Sequence, residues 1–448
     1  MRLFVRIFYL LYRVTTWLTH WSRRRFTVLG NAILGGLMVA LTTAFDVDGA
    51  VGYQSVIPLC AVLLIAIVFS IRFRARFELE RKLPRIATAG HPFQYRVAIK
   101  NLTAKKQTGL TLIDDLADPR PRFKEWRDYK LDEDKHVRPF RFQRRSFRSP
   151  FKKATVKENE IPSLRPGERG EVTIEMTPLR RGHVRFESAT VARPDPLGIY
   201  RALRKFPLPQ SMLILPKRYP LPPIALPGGM KYQHGGVAMA SHIGQSEEFV
   251  SLREYRRGDP PRHIHWRSWA KTGKPIVKEF EDEFFVRHAL VLDTFTPRPY
   301  SELFEEAVSV AASFACTVLT QESLLDLLFV GPEAYCFTAG RGLAHADQML
   351  EILATVQPCR EQPFTTLENL VTNHANSVSG CVCVLLAWDE PRWKFIEKLK
   401  LIGLPLLVLV LRSADETQPL PLGPMSDAPE YLHALEIGRI EEQLARLS

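Results

Sequence analysis

Residues 26–45 read FTVLGNAILGGLMVALTTAF and residues 51–71 read VGYQSVIPLCAVLLIAIVFSI, and neither run carries a charged side chain. An α-helix rises 1.5 Å per residue, so about 20 residues match a hydrocarbon core about 30 Å thick. Only Asp46-Val47-Asp48-Gly49-Ala50 separates the two runs, enough to turn the chain but too little to hold a domain. The pair predicts a two-helix transmembrane hairpin. Arg23, Arg24 and Arg25 precede it, Arg72, Arg74 and Arg76 follow it, and the loop between holds two aspartates. Cationic flanks favour the cytoplasmic side. Both termini and every residue after 76 are therefore expected in the cytoplasm, on a multi-pass protein of the cytoplasmic (inner) membrane, with the lipid bilayer as one partner. A second span directly behind the first argues against a cleaved leader.

Residues 3–21, on the N-terminal side, mix Phe, Leu, Tyr and Trp with scattered Arg. Two arrangements fit: an amphipathic helix lying in the membrane interface, or an extension of the first span. The chain as a whole has 448 residues, 46% hydrophobic and 24% charged, with a formal net charge of +13. That length allows two or three domains. The positive excess clusters beside the apolar runs, with no zinc spacing or aromatic-basic signature, so no nucleic-acid partner is expected. Cys60, Cys316, Cys336, Cys359, Cys381 and Cys383 form no CxxC pair and no Cys/His framework. They read as small apolar core residues in a reducing compartment.

After the N-terminal segment (1–76), residues 77–215 look β-rich. Phe93–Ile99, Val172–Met176 and Val184–Phe186 alternate with period two, and Gly90-His91-Pro92, Arg165-Pro166-Gly167 and Arg180-Arg181-Gly182 punctuate them as turns. Short strands between such turns predict an antiparallel β-sandwich of immunoglobulin-like type. The charged stretch 119–160 reads as a long solvated loop, and 216–283 as a linker holding a distinctive block. From 284 to 448 apolar strands (286–292, 324–330, 381–388, 406–411) alternate with helical patterns (301–320, 344–356, 365–375, 391–402, 429–447). This alternation means an α/β domain with a mainly parallel sheet. Asp293 and Asp389 stand just past strand ends, where open α/β sheets place ligands.

The distinctive block is GQSEEFVSLREYRRGDPPRHIHWRSWAKTGKPIVKEFEDE, residues 244–283. Asp259 before Pro260 and Pro261 predicts a helix N-cap, with Gly273 as its C-cap and a strand over Ile276–Phe280. The block resembles the signature of the domain of unknown function 58 family in Glu248-Phe249, Leu252-Arg253, Tyr255, Gly258-Asp259, Arg262, Ile264 and Trp266. Arg180-Arg181-Gly182 and Pro194-Asp195-Pro196-Leu197-Gly198 look like further family elements. The resemblance implies a C-terminal von Willebrand factor A-like domain, a MoxR-type AAA+ ATPase as partner, and no catalytic activity. In that fold Mg²⁺ is often held by a D-x-S-x-S loop, a distant Thr and a later Asp. Here Asp293, Thr365 and Asp389 are the counterparts, but Phe295 and Pro297 occupy the serine positions and supply no side-chain oxygen. Thr294 and Thr296 fall at the wrong spacing, and Thr365 reads better as a capping box with Glu368. A degenerate metal site is therefore expected, with no cofactor.

The residues alone leave a second chemistry open, a metal-dependent hydrolase using Asp259, His263 and His265. On a helix, residues two apart point about 200° apart and cannot share an ion, so the expected helix argues against it. The leading expectation is a non-catalytic, membrane-anchored adaptor docking a MoxR-type ATPase. A scaffold without an ATPase partner is the remaining alternative.

Overall fold

The computed structural model describes residues 2–43, 50–71, 73, 76–136, 151–222, 249–257, 259, 261–280, 287–298, 300–320, 324–339, 343–414, 416 and 418–447. It divides into two compact units, Met1–Pro216 and Lys217–Ser448.

The first unit opens with three helices: α1 (Arg2–Arg25), α2 (Val28–Thr43) and α3 (Ala50–Ile71). Within α3, Gln54–Ile71 is long and apolar enough to cross a membrane by length and composition, whereas Val28–Thr42 is a shorter apolar helix. The first apolar run does not begin its helix at Phe26. Thr27 caps α2, its hydroxyl accepting from the Gly30 N–H at 3.1 Å, and Phe26 is buried beside Tyr200. That break also makes α1 a helix of its own rather than an extension of the first span.

Nine strands follow: β1 (Phe77–Lys82), β2 (Ile86–Thr88), β3 (Phe93–Asn101), β4 (Leu110–Leu116), β5 (Ala154–Val156), β6 (Asn159–Ile161), β7 (Arg169–Pro178), β8 (Gly182–Pro194) and β9 (Arg201–Leu215). They form two sheets, β1-β3-β7-β5 and β2-β9-β8-β4-β6. The period-two residues Val97, Ile99, Val172 and Ile174 of one sheet meet Leu112, Phe186, Val191 and Ile214 of the other in a single core. The expected β-sandwich is thus present, antiparallel except where β2 pairs in parallel with β9. One polar cluster lies inside it. Arg81 forms a bidentate pair with Asp114, Tyr95 donates to the same carboxylate at 2.5 Å, and the guanidinium lies 4.5 Å from the Phe186 ring centroid. Each group in the cluster is hydrogen-bonded, which is what makes its burial tolerable.

The charged stretch 119–160 is not simply a loop. It contains helix α4 (Phe123–His136) and strands β5 and β6, while residues 137–150 lie outside the described ones. Trp126 of α4 is buried and meets Tyr9 and Tyr12 of α1, so the aromatic residues of the stretch are used in packing.

In the second unit, β10 (Phe249–Glu254) pairs antiparallel with β11 (Ile276–Phe280), and α5 (Trp266–Thr272) lies between them in sequence. The main sheet comprises β12 (Arg287–Leu292), β13 (Leu324–Val330), β14 (Ala334–Ala339), β15 (Gly380–Leu385), β16 (Leu406–Arg412) and β17 (Leu432–Glu436), in the order β14-β13-β12-β15-β16-β17. Every neighbouring pair is parallel except β13–β14. Its helices are α6 (Glu302–Thr320), α7 (Leu343–Thr355), α8 (Thr365–His374), α9 (Glu390–Leu401) and α10 (Ile440–Leu444). On one face Leu367, Val371, Phe395 and Leu399 of α8 and α9 cover Ala289, Val291, Cys381, Cys383 and Val408. Tyr219, in the expected linker, is buried along α6; its N–H bonds the Ser313 hydroxyl at 2.7 Å and its hydroxyl donates to Glu306 at 2.5 Å. The expected C-terminal helix over 429–447 is instead a short 3₁₀ turn, β17 and α10. Leu432–Glu436 is recruited as a sheet edge because β16 offers it an open row of backbone groups.

Candidate functional site

The C-terminal rim of the six-stranded sheet gathers Asp293 and Asp389 around a residue that the sequence did not reveal, Arg392; Thr365 is not among its contacts. Asp293 follows β12 and is fully buried. Its carboxylate accepts from the Phe295 N–H at 2.9 Å, the Leu386 N–H at 3.1 Å, and the Arg392 guanidinium at 3.0 Å. Burial pushes its pKa above the ordinary carboxylate value, opposed by Arg392 and the two N–H groups. Asp389 caps α9 in extended conformation, accepting from the Arg392 N–H and, at 2.9 Å, from the Arg392 side chain. The same guanidinium donates to the Phe295 carbonyl at 3.2 Å and stands 4.6 Å from the Phe364 ring centroid. One arginine therefore ties together the loop after β12, the start of α8 and the start of α9.

Arg392 sits in the first turn of α9, where the helix dipole disfavours a cation. An arginine there needs a carboxylate partner, which is the signal that could have revealed it. The guanidinium supplies the positive charge that a metal would bring to Asp293, and the remaining positions offer little to an ion. Thr294 donates its hydroxyl to the Val330 carbonyl at 2.5 Å, and the Thr296 oxygen accepts from the Arg298 N–H. Thr365 is exposed at the first turn of α8, whose cap is Phe364 without a side-chain bond. The expected capping box is absent because Glu368 pairs with Lys398 of α9 at 2.8 Å. Among the described residues no group of three His, Cys, Asp or Glu side chains could hold a metal.

The signature block forms a separate ribbon. Glu248 and Gly258 lie outside the described residues, and Phe249 opens β10. Arg253 grips Asp259 through two hydrogen bonds of 2.8 Å, and the Arg256 N–H adds a third of 2.7 Å. These donors hold the Asp259 carboxyl down at about 2. Asp259 is thus a turn anchor and not the expected helix N-cap: a 3₁₀ turn over Pro261–His263 intervenes, and α5 starts only at Trp266. Ile264, directly after the turn, bridges to Val277 of β11. Gly273 does end α5, in the left-handed region at φ 71°, with its N–H on the Trp269 carbonyl. His265 bonds the Ser268 hydroxyl through Nδ1 at 2.6 Å, and the Asp259 carboxylate is taken up by Arg253 and the Arg256 N–H. Leu252, Tyr255, Arg262 and Trp266 face solvent, Trp266 at 64% exposure, with its ring stacked on Trp269 at 5.2 Å.

The third family-like element has a definite structural task. Asp195 is buried and accepts from the N–H groups of Leu197, Ile199 and Tyr200 at 3.0, 2.7 and 2.7 Å. The resulting turn presents the Gly198 carbonyl to the Thr27 hydroxyl at 2.5 Å and the Ile199 carbonyl to the Thr27 N–H at 3.1 Å. Gly30 passes so close that a Cβ there would lie 2.1 Å from the Ile199 oxygen. The turn grips the beginning of α2.

Comparisons with known proteins give one relative, several distant structural likenesses and one family match. Over 187 residues the chain is 29% identical to the uncharacterized protein YeaD of Bacillus subtilis strain 168. The alignment covers 41% of this chain and 45% of YeaD, so less than half of that relative's length is matched. Among solved structures, the CARDB domain of a Pyrococcus furiosus protein is similar at 15% identity over 31% of this chain and 93% of its own, with a TM-score of 0.16. Escherichia coli alpha-2-macroglobulin is similar at 14% identity over 40% of this chain and 9% of its own, with a TM-score of 0.19. The β-sandwich rests on its own strand pairing rather than on these likenesses. A family model described as protein of unknown function DUF58 matches residues 251–416, the stretch that holds both the signature ribbon and the Arg392 rim.

Proposed function

We propose that this protein is a membrane-anchored, non-catalytic adaptor whose C-terminal α/β unit docks a cytoplasmic partner through the signature ribbon. The observation that carries this reading is the exposure of Leu252, Tyr255 and Trp266 beside the exposed Arg256, Arg257 and Arg262. Of the ribbon, the 3₁₀ turn and α5, only Val277 is buried among the described side chains. A two-stranded ribbon with so little core is marginal alone, and exposed aromatic and arginine side chains are what interface centres are made of. The cationic surround favours an acidic partner surface. The family resemblance points to a MoxR-type AAA+ ATPase, whose remodelling work the adaptor would couple to a membrane or envelope assembly. The strand order β14-β13-β12-β15-β16-β17, with one antiparallel edge, supports a von Willebrand factor A-like reading of this unit. In it Arg392 takes the place of the ion. On the same reading α2 and α3 span a bacterial inner membrane as a hairpin, with both termini and both soluble parts cytoplasmic.

Affinity purification of the full chain from native membranes, with nucleotide trapped by a non-hydrolysable ATP analogue, tests the proposal. The expected result is recovery of an AAA+ ATPase, reduced at least tenfold by a Tyr255→Ala/Trp266→Ala double substitution that leaves thermal unfolding unchanged. Absence of any such ATPase from the wild-type sample would sink the adaptor reading.

A further inference from the structure

We infer that α1 lies flat in the membrane interface, with one face immersed among acyl chains and the other clamped to the β-sandwich. This rests on the membrane-anchored reading above and adds a second, in-plane lipid-binding surface to it. The two faces of α1 are distinct. Ile7, Leu10, Leu11, Val14, Trp17, Leu18 and Trp21 are all exposed, Leu10, Leu11, Val14, Trp17 and Leu18 to at least half. They recur every three or four residues, which is one stripe of a helix. The opposite face is held in place. Tyr9 packs edge-on to Phe123 at 5.3 Å and against Trp126 at 5.4 Å, and its hydroxyl reaches the Pro121 carbonyl at 3.1 Å. Tyr12 meets Trp126 at 5.9 Å. At the edge of the stripe, one turn beyond Trp21, Arg24 pairs with Asp115 of β4 at 2.5 Å. The packing that α4 provides therefore orients the apolar stripe outward.

The occupant follows from continuity and charge. Only Phe26 and Thr27 separate α1 from α2, and the Asp195 turn fixes that junction to the same sandwich. Ala66 of α3 packs with Phe26, and Ile33 of α2 packs against the same cluster, so the apolar helix pair leaves the sandwich where α1 ends. The helix contains no acidic residue, and Arg6, Arg13 and Arg23 are exposed. An apolar stripe with tryptophans, bordered by arginines and interrupted too often by charge to span, suits the boundary between phosphate headgroups and acyl chains. Arg6 and Arg13, along the edge of the stripe, would meet headgroup phosphates.

Single nitroxide labels on the full-length protein in phospholipid nanodiscs test this. Labels replace Leu11, Leu18 or Thr19, which lies about 100° around the helix from Leu18, and a fourth sits on native Cys60 of α3 with the other cysteines removed. The expected result is at least a threefold greater collisional broadening by oxygen than by a water-soluble nickel chelate at Leu11, Leu18 and Cys60, and the reverse at Thr19. Oxygen access at Cys60 with nickel access at Leu11 and Leu18 would overturn the in-plane helix and leave the membrane anchor standing. Nickel access at Cys60 as well would sink the anchor and the in-plane helix together. Labels at Leu11 and Leu18 shielded from both agents and broadened by spin–spin coupling would mean that a second copy covers the stripe, which also overturns it.

Discussion

Arg392 shows how much of the second unit's rim depends on one side chain. Asp293 is fully buried, and removing its guanidinium leaves a carboxylate with only two backbone donors. Breaking a buried pair from one side costs about 3–5 kcal/mol. Arg392→Met should therefore destabilise the second unit by about that amount in urea unfolding followed by Trp fluorescence. Asp293→Asn combined with Arg392→Met should recover part of it, since no unpaired charge remains. Asp259 behaves in the opposite sense. Its pKa is depressed to about 2 by Arg253 and the Arg256 N–H, so the stabilisation is present above the unfolded value of about 4 and is lost as pH falls toward 2. Arg253→Gln should return the Asp259 carboxyl to the ordinary carboxylate range, read by ¹³C titration of its side chain. The sequence named Asp259, Asp293 and Asp389 from their neighbours in the chain. It did not name Arg392, whose partner Asp293 is 99 positions away in the chain, nor the Arg253 pairing, which depends on how the turn after β10 closes.

Among elements, strongly periodic segments were readable and weakly periodic ones were not. The helices α6, α8 and α9 and the strands β12, β13, β15 and β16 lie where the apolar patterns put them. Each is buried against several neighbours, so its pattern must be regular. Edge strand β14 was missed because only one neighbour constrains it: Ala334, Tyr335 and Cys336 are exposed. Helix α4 was hidden for a similar reason, since Trp126 and Phe123 serve α1 rather than a continuous core. The start of α2 gives a prediction at this scale. Gly30→Ala places a Cβ against the Ile199 oxygen, whereas Gly35→Ala meets nothing within 4 Å. The first should lower stability by about 1–3 kcal/mol through overpacking. The second should be neutral or slightly stabilising, through the higher helix propensity of alanine. Thermal unfolding of both in detergent separates them.

At the scale of the molecule, the chain joins a first unit of apolar helices and β-sandwich to a second unit carrying a signature ribbon and a closed rim. The division of labour is chemical. The first unit offers hydrocarbon-compatible surface on α3 and α1, while the second offers exposed aromatics and cations on a small ribbon. The co-purification and spin-label experiments address these surfaces one at a time, one in each unit.

The sequence by itself determined the features that depend on local composition and period. These are the apolar runs at 26–45 and 51–71, the alternating strands of the sandwich, the α/β alternation after 284, and the signature block. Tertiary structure alone decided that Phe26 belongs to the Asp195 turn rather than to a span, that α1 is a separate helix with one face turned outward, and that Arg392 completes the rim. The physical reason is the same in each case. Burial period is written along the chain, but the partner of a buried carboxylate, a helix cap or an aromatic ring is chosen by segments far away in sequence. The opening run at 26–45 thus kept its apolar character and lost its first two residues to a turn more than 170 positions away.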